Sequence, residues 1–204
     1  MIDLRNMDNM ELMKEFPDKH FDLAIVDPPY GINVNQFNMG SRKTVEPDKK
    51  DGKNWDGAIP SPEYFVELMR VSKNQIIWGG NFFGLPANKH YVIWDKGESM
   101  YGRSFSECEY AWGSIDEFPR IFKQNPMQLD RIHICQKPVK LYKWILENYA
   151  KPTDKILDTH LGSGSIAIAC HYFGCDLIGS ELDPDYYAAM MKRFTQETSQ
   201  MSFL

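Results

Sequence analysis

A chain of 204 residues with 23 Lys and Arg against 28 Asp and Glu, a formal net charge of -5, has the proportions of an ordinary globular protein and suits one core around one sheet. Its longest apolar stretches, such as Ile166 to Cys170, are far too short for a bilayer, and Met1 to Arg5 lack the pattern of a signal peptide, so a cytoplasmic protein with no membrane partner is expected. Cys108, Cys135, Cys170 and Cys175 form no CxxC pair and read as free thiols, with no metal site.

In chain order, Phe21 to Val26 is an apolar run stopped by Asp27-Pro28-Pro29, which predicts a buried strand and then a rigid loop. Residues 31 to 60 are polar and long for a connection inside one domain, the mark of a functional or disordered loop. Ser61-Pro62-Glu63 opens a helix that runs to about Val71. Ile76 to Trp78, Tyr91 to Trp94 and Tyr110 to Trp112 read as strands, and Pro138 to Tyr149 as a helix from its apolar spacing. The last quarter is the clearest. Lys155 to Asp158 is a strand, Gly162-Ser163-Gly164 a turn, Ser165 to Tyr172 a helix, Asp176 to Glu181 a strand, and Pro184 opens a closing helix. Strands alternating with helices predict an α/β fold with a doubly wound, mostly parallel sheet.

Ligands in such sheets bind beyond the carboxyl ends of the strands. Gly162 and Gly164 let the backbone turn tightly there, and Glu181 ends the next strand with a carboxylate able to accept both hydroxyls of a ribose. Position 167 is Ala, so the GxGxxG of a dinucleotide site is incomplete, and Asp158 beside the turn suits a cation better than a pyrophosphate. S-adenosylmethionine, a nucleoside with a sulfonium and an amino group, matches that chemistry. Taken alone, the two glycines are equally compatible with a plain strand-helix turn.

Asp27-Pro28-Pro29-Tyr30 is the second motif and the more specific one. The lone pair of an exocyclic amino group is delocalised into the base. A carboxylate and a backbone carbonyl accepting its two hydrogens would draw the nitrogen toward tetrahedral geometry and aim that pair at a methyl donor. Asp27 and Pro28 are placed for those roles, Pro29 stiffens the loop, and Tyr30 offers a ring on which an extruded base can stack.

Together these motifs resemble the amino-methyltransferases of DNA, of the group in which the catalytic motif precedes the cofactor motif, in a small phage- or bacterial-type form. The tetrapeptide is complete at Asp27 to Tyr30. The family's Gln-Lys-Pro stands at Gln136-Lys137-Pro138, and its Asp-Pro-Phe-x-Gly-Ser-Gly as Asp158-Thr159-His160-Leu161-Gly162-Ser163-Gly164. Trp78-Gly79-Gly80-Asn81 and Trp94-Asp95-Lys96 also resemble family segments. The resemblance implies a Rossmann-like S-adenosylmethionine-dependent methyltransferase fold with circularly permuted motif order. It implies Asp158, Gly162, Ser163, Gly164, Glu181 and Lys137 as cofactor residues, with Lys137 near the cofactor's amino-acid end. It implies double-stranded DNA with a flipped base as partner, a restriction-modification setting and, with the small size, a homodimer.

Adenine N6 is the expected target, because the family's N4-cytosine enzymes commonly carry Ser where Asp27 stands. N4-cytosine methylation, an RNA target and a noncatalytic nucleic-acid-binding subunit are the alternatives. Thr159-His160 departs from Pro-Phe, His160 reading as a locally satisfied histidine, and Cys135 replaces a hydroxyl residue. Only residues 97 to 134 are left for target recognition. Pro119 to Lys143 holds Arg120, Lys123, Arg131, Lys137, Lys140 and Lys143 against Asp130 alone. Arg42 and Lys43 in the long loop, with Arg103, Arg120, Lys123 and Arg131, are the expected nucleic-acid contacts.

Overall fold

A computed structural model describes residues 1–33, 55–103, 106–126, 131–133 and 135–199. Eight strands form one sheet: β1 (Ile2–Asn6), β2 (Phe21–Val26), β3 (Ser72–Trp78), β4 (Tyr91–Asp95), β5 (Cys108–Gly113), β6 (Arg120–Lys123), β7 (Lys155–Asp158) and β8 (Asp176–Glu181). Their order is β1-β8-β7-β2-β3-β5-β4-β6, and all neighbours run parallel except β5, which is antiparallel to both β3 and β4. The helices are α1 (Asn9–Lys14), α2 (Pro62–Val71), α3 (Val139–Tyr149), α4 (Ser165–Phe173) and α5 (Pro184–Ser199). Among the described residues no helix is long and apolar enough to cross a membrane.

Period-2 alternation splits the core between the two faces of the sheet. Leu23, Ile25, Ile76, Trp78, Ile156 and Leu177 face α3, α4 and α5, while Phe21, Ala24, Val26, Ile77, Leu157 and Ile178 face α1 and α2. The result is a three-layer, doubly wound α/β sandwich. From β7 the chain winds outward through α4 to β8, and from β2 it winds the other way through α2 to β3. The winding therefore switches between β7 and β2, and the strand ends at that crevice are Asp158 and Asp27.

Three elements lie outside the sequence expectations. β1 is half-buried from Ile2 to Arg5 and exposed at Asn6, so its alternation of apolar and polar residues is short and weak. The six residues of α1 depend on Asp8, whose carboxylate accepts from the Met10 and Glu11 amides. β6 is a short edge strand with Ile121 facing solvent, a pattern that reads as loop until β4 supplies its partner. Ser61 precedes α2 as expected, but its side chain makes no capping hydrogen bond there.

Candidate active site

The first β2 residue beyond the sheet is Asp27, and the Pro-Pro pair carries the chain to Tyr30, whose hydroxyl donates to Asp27 Oδ1 at 2.7 Å. Two features hold this loop. The Tyr30 and Gly31 amides both donate to Asp56 Oδ1, at 2.8 and 3.0 Å, from a carboxylate that is itself buried. The Tyr30 ring lies against Gly79, where a Cβ would come within 2.2 Å of the ring and where φ is +70°. No L side chain fits there without moving the Tyr30 ring. Phe82 stacks on Tyr30 with centroids 5.1 Å apart and planes 14° from parallel. One Tyr30 face is thus already covered, and the exposed Phe82 ring lies beside it at the cavity.

Lys137 comes from the segment just before α3, yet its ammonium reaches Asp27 Oδ2 at 2.5 Å and Glu109 Oε2 at 3.1 Å. It also lies over the Trp78 indole, 5.0 Å from the ring centroid. Glu109 in turn accepts Lys96 through Oε1 at 2.8 Å. The side chains of this chain of alternating charges are 3% (Lys137), 20% (Asp27), 23% (Glu109) and 13% (Lys96) exposed, dry enough for each charge to require its neighbour. Burial raises the Asp27 carboxyl, with Lys137 pulling against it. Burial also presses on Glu109, but Lys137 and Lys96 outweigh it and hold that carboxyl at about 2. Burial works to strip Lys137 of its proton, and Asp27 and Glu109 keep it charged. The Lys137 ammonium, expected at the cofactor's amino-acid end, is bonded here to the carboxylates of Asp27 and Glu109, which flank it.

On the other side of the crevice, Asp158 is 2% exposed, and no described side chain forms an ion pair with it. Burial lifts its carboxyl to about 8, helped by the Asp27 and Glu181 charges and opposed by the His160 amide, which donates to it at 2.9 Å. A buried acid so poorly matched to its surroundings calls for a cation, which is what a sulfonium amino acid brings. Glu181 is oriented by two backbone amides, Gly162 to Oε2 and Asp183 to Oε1, each at 2.9 Å. Gly164 sits at φ +71° with Met190 where a Cβ would lie. Arg193 from α5 braces the turn through the Ser163 carbonyl and Ser165 Oγ, and Ser163 turns its own hydroxyl to Ser165. His160 is indeed satisfied locally. Asn9 donates to Nε2 at 3.1 Å, Nδ1 lies 3.0 Å from the Thr159 hydroxyl, and Thr159 bonds Tyr64 at 2.6 Å. Burial holds this imidazole neutral, near 4. The two residues that depart from Pro-Phe therefore form a closed polar chain with α1 and α2.

Both halves open into one cavity of about 1350 Å³, lined by Asp27 to Tyr30, Phe82, Lys96, Glu109, Arg131, Lys137, His160 to Ser163 and Glu181. A pocket for one drug-sized ligand is roughly 300–1,000 Å³, so a cofactor and part of a second molecule can share this one. Residues 49–192 match the DNA methylase family. This chain belongs to that family. The DNA adenine methyltransferase YhdJ of Escherichia coli (strain K12) is 24% identical over 240 aligned positions, covering 91% of this chain and 80% of its own. Among solved structures, M1.HpyAVI in complex with SAM superposes with a TM-score of 0.62 at 18% identity, covering 95% of this chain and 98% of that one. The cytosine-N4-specific PvuII DNA methyltransferase superposes at 0.60 and 13% identity, covering 96% and 90%. At those identities the likeness establishes the fold.

The basic residues of this methylase do not form one patch. Arg131 lines the cavity and Arg103 is exposed beyond the carboxyl end of β4. Lys123 lies at the carboxyl end of β6, on the same rim, paired with Glu98. Arg120 begins β6 on the opposite rim, bonded to Asn148 and Glu117, which removes it from the cavity mouth. Lys137 is buried. The run of six that is contiguous in sequence is therefore scattered, because β6 and α3 carry its members to different ends of the sheet. Arg42 and Lys43 lie outside the described residues. Residues 97 to 134, expected to serve target recognition, also give two strands to the sheet. Sequence reasoning missed Asp56, Phe82 and Glu109. Only the Gly79-Gly80 pair and Lys96 carried a signal, as parts of family segments.

Proposed function

We propose that this DNA methylase transfers a methyl group from S-adenosylmethionine to N6 of an adenine extruded from double-stranded DNA. The observation that carries the reading is the meeting, in one cavity at the switch between β2 and β7, of Asp27-Pro28-Pro29-Tyr30 with Thr159 to Ser163 and Glu181 of the β7-α4-β8 unit. The Asp158 carboxylate and the Gly162–Gly164 turn hold the amino-acid end of the cofactor, and Glu181 accepts its ribose hydroxyls. Bound there, the cofactor supplies an electrophilic methyl with its own leaving group. Asp27 and the Pro28 carbonyl accept the two amino hydrogens and turn the nitrogen lone pair toward that methyl. Tyr30 and Lys137 fix the Asp27 carboxylate while it does so. The stacked pair Tyr30 and Phe82 receives the base at the cavity, and Arg131, Arg103 and Lys123 on the same rim meet phosphates. Asp rather than Ser at position 27 supports adenine over cytosine.

The test is incubation with methyl-labelled S-adenosylmethionine and unmethylated duplex DNA, followed by digestion to nucleosides. Label in N6-methyladenine is the expected result, and Asp27→Ala should remove it. Label in N4-methylcytosine would keep the mechanism and overturn the base. An Asp27→Ala protein as fast as the parent would sink the reading altogether.

A further inference from the structure

Two partly buried charges, Glu109 and Lys96, have no part in the chemistry just described. Neither lies in the catalytic or the cofactor motif, yet both line the catalytic cavity. The antiparallel direction of β5 explains how Glu109 gets there. Every other strand presents its carboxyl end to the site, whereas β5 presents its beginning, so its second residue faces the rim where β4 ends in Asp95 and Lys96. The Lys96 amide donates to the Glu107 carbonyl at 2.9 Å and fixes that junction. Glu109 then divides its two oxygens between two ammoniums, Lys96 at 2.8 Å and Lys137 at 3.1 Å. Lys137 divides itself between two carboxylates, Glu109 and Asp27.

We propose that Glu109 and Lys96 are positioning residues for methyl transfer: together they set where the Lys137 ammonium sits, and so how tightly it clamps the Asp27 carboxylate. The inference rests on Asp27 being the acceptor for the target amino group. The physical argument is one of balance. An ammonium given wholly to Asp27 would tie up Oδ2 and weaken the carboxylate as an acceptor. An ammonium drawn away would leave a buried carboxyl that takes up a proton and ceases to accept. Glu109 draws Lys137 back from Asp27, and Lys96 limits that draw by satisfying the other Glu109 oxygen. Asp27 also feels Tyr30 from its own loop, Asp158 from β7, Cys135 from the segment before α3, Tyr64 from α2 and Tyr142 from α3. Lys96 is linked to Asp27 by the ion pairs of Glu109 and Lys137, and changes at position 96 reach Asp27 through them.

Removing either residue should therefore move Asp27 in opposite directions. In Glu109→Gln the ammonium settles on Asp27, whose titration moves down by about half to one pH unit. In Lys96→Gln, Glu109 holds only Lys137 and pulls it over, and Asp27 titrates higher by a similar amount. The measurement is a carboxyl ¹³C titration of protein labelled at aspartate, with the Asp27 signal assigned by Asp27→Asn. Beside it, the pH dependence of kcat for labelled methyl transfer to duplex DNA should shift its acid limb the same way in each variant, with KM for the cofactor within about twofold. Lys96→Arg should restore the parent profile. If Glu109→Gln fails to fold, Lys96→Gln and Lys96→Arg still decide the matter. Shifts of the same sign, or none, in folded variants would overturn the proposal. Parent protein that methylates no nucleoside would count against the proposed function instead, while the carboxyl titration would still judge the positioning.

Discussion

The two halves of the active site are built on different scales. The cofactor half is nearly one continuous piece of chain. Asp158, the glycine turn and Glu181 belong to a single β7-α4-β8 unit, and the hydrogen bond that closes it, Gly162 to Glu181, spans 19 residues. The catalytic half is a gathering of distant pieces. Asp27 meets Lys137 across 110 residues, Tyr30 meets Asp56 across 26, and Gly79, Lys96 and Glu109 arrive on three further segments. A site made of one unit can be read from local spacing. A site gathered from many segments holds its central carboxylate, Asp27, through neighbours that come from elsewhere in the chain.

That contrast predicts a separation of effects. The largest should come at Asp27. Asp27→Ala removes the acceptor but leaves the cofactor unit whole, so methyl transfer should fall by on the order of 10³-fold while calorimetric affinity for S-adenosylmethionine changes little. A large loss of cofactor affinity would break the division between the halves.

Asp158→Asn is the mirror experiment. Affinity for S-adenosylmethionine should fall about a hundredfold through loss of one charge-assisted contact, and transfer should fall with it. The pH dependence sharpens the assignment. The folded carboxyl is lifted to about 8 from an ordinary value of 3.8, so the apo protein favours its protonated form. This group therefore subtracts stability increasingly as pH rises from 4 through 8, and Asp158→Asn should melt higher than the parent at pH 8.5 in the absence of cofactor. Parent affinity for the cationic cofactor should climb by up to about tenfold per pH unit below 8 and then level, whereas the Asn variant should show no such slope. A slope that survives Asp158→Asn would assign the titration to another group.

The smaller effects lie in the supports of the catalytic half. Gly79→Ala puts a methyl into the Tyr30 ring at positive φ, costing about 2 kcal/mol of stability and about tenfold in kcat, with cofactor affinity intact. Asp56→Ala leaves the Tyr30 and Gly31 amides without their shared acceptor, and about fivefold in kcat should be lost as the loop loosens. If either variant weakened cofactor binding as much as catalysis, the two halves would be more tightly coupled than their architecture indicates.

Local pattern alone settled much of this protein. The apolar run from Phe21 to Val26, its Pro-Pro stop, the Ser61-Pro62 helix start and the Lys155 to Glu181 strand-turn-helix-strand unit are all interactions within a few residues of chain, so they are legible one segment at a time. The same holds for Asp27 to Tyr30 and for the glycine turn, whose side chains or torsions are required at fixed spacing. Tertiary structure decided the rest. It added β1, α1 and β6, whose weak alternation acquires meaning only when β8, α2 and β4 cover them. It scattered the basic run between Pro119 and Lys143, placing Arg120 and Lys123 at opposite ends of one strand and burying Lys137. It turned β5 around and so delivered Glu109 to Lys137 and Lys96. Charge in a buried site is balanced by whichever groups the fold brings within about 3 Å, and that proximity is a property of strand order and direction, which no local spacing encodes.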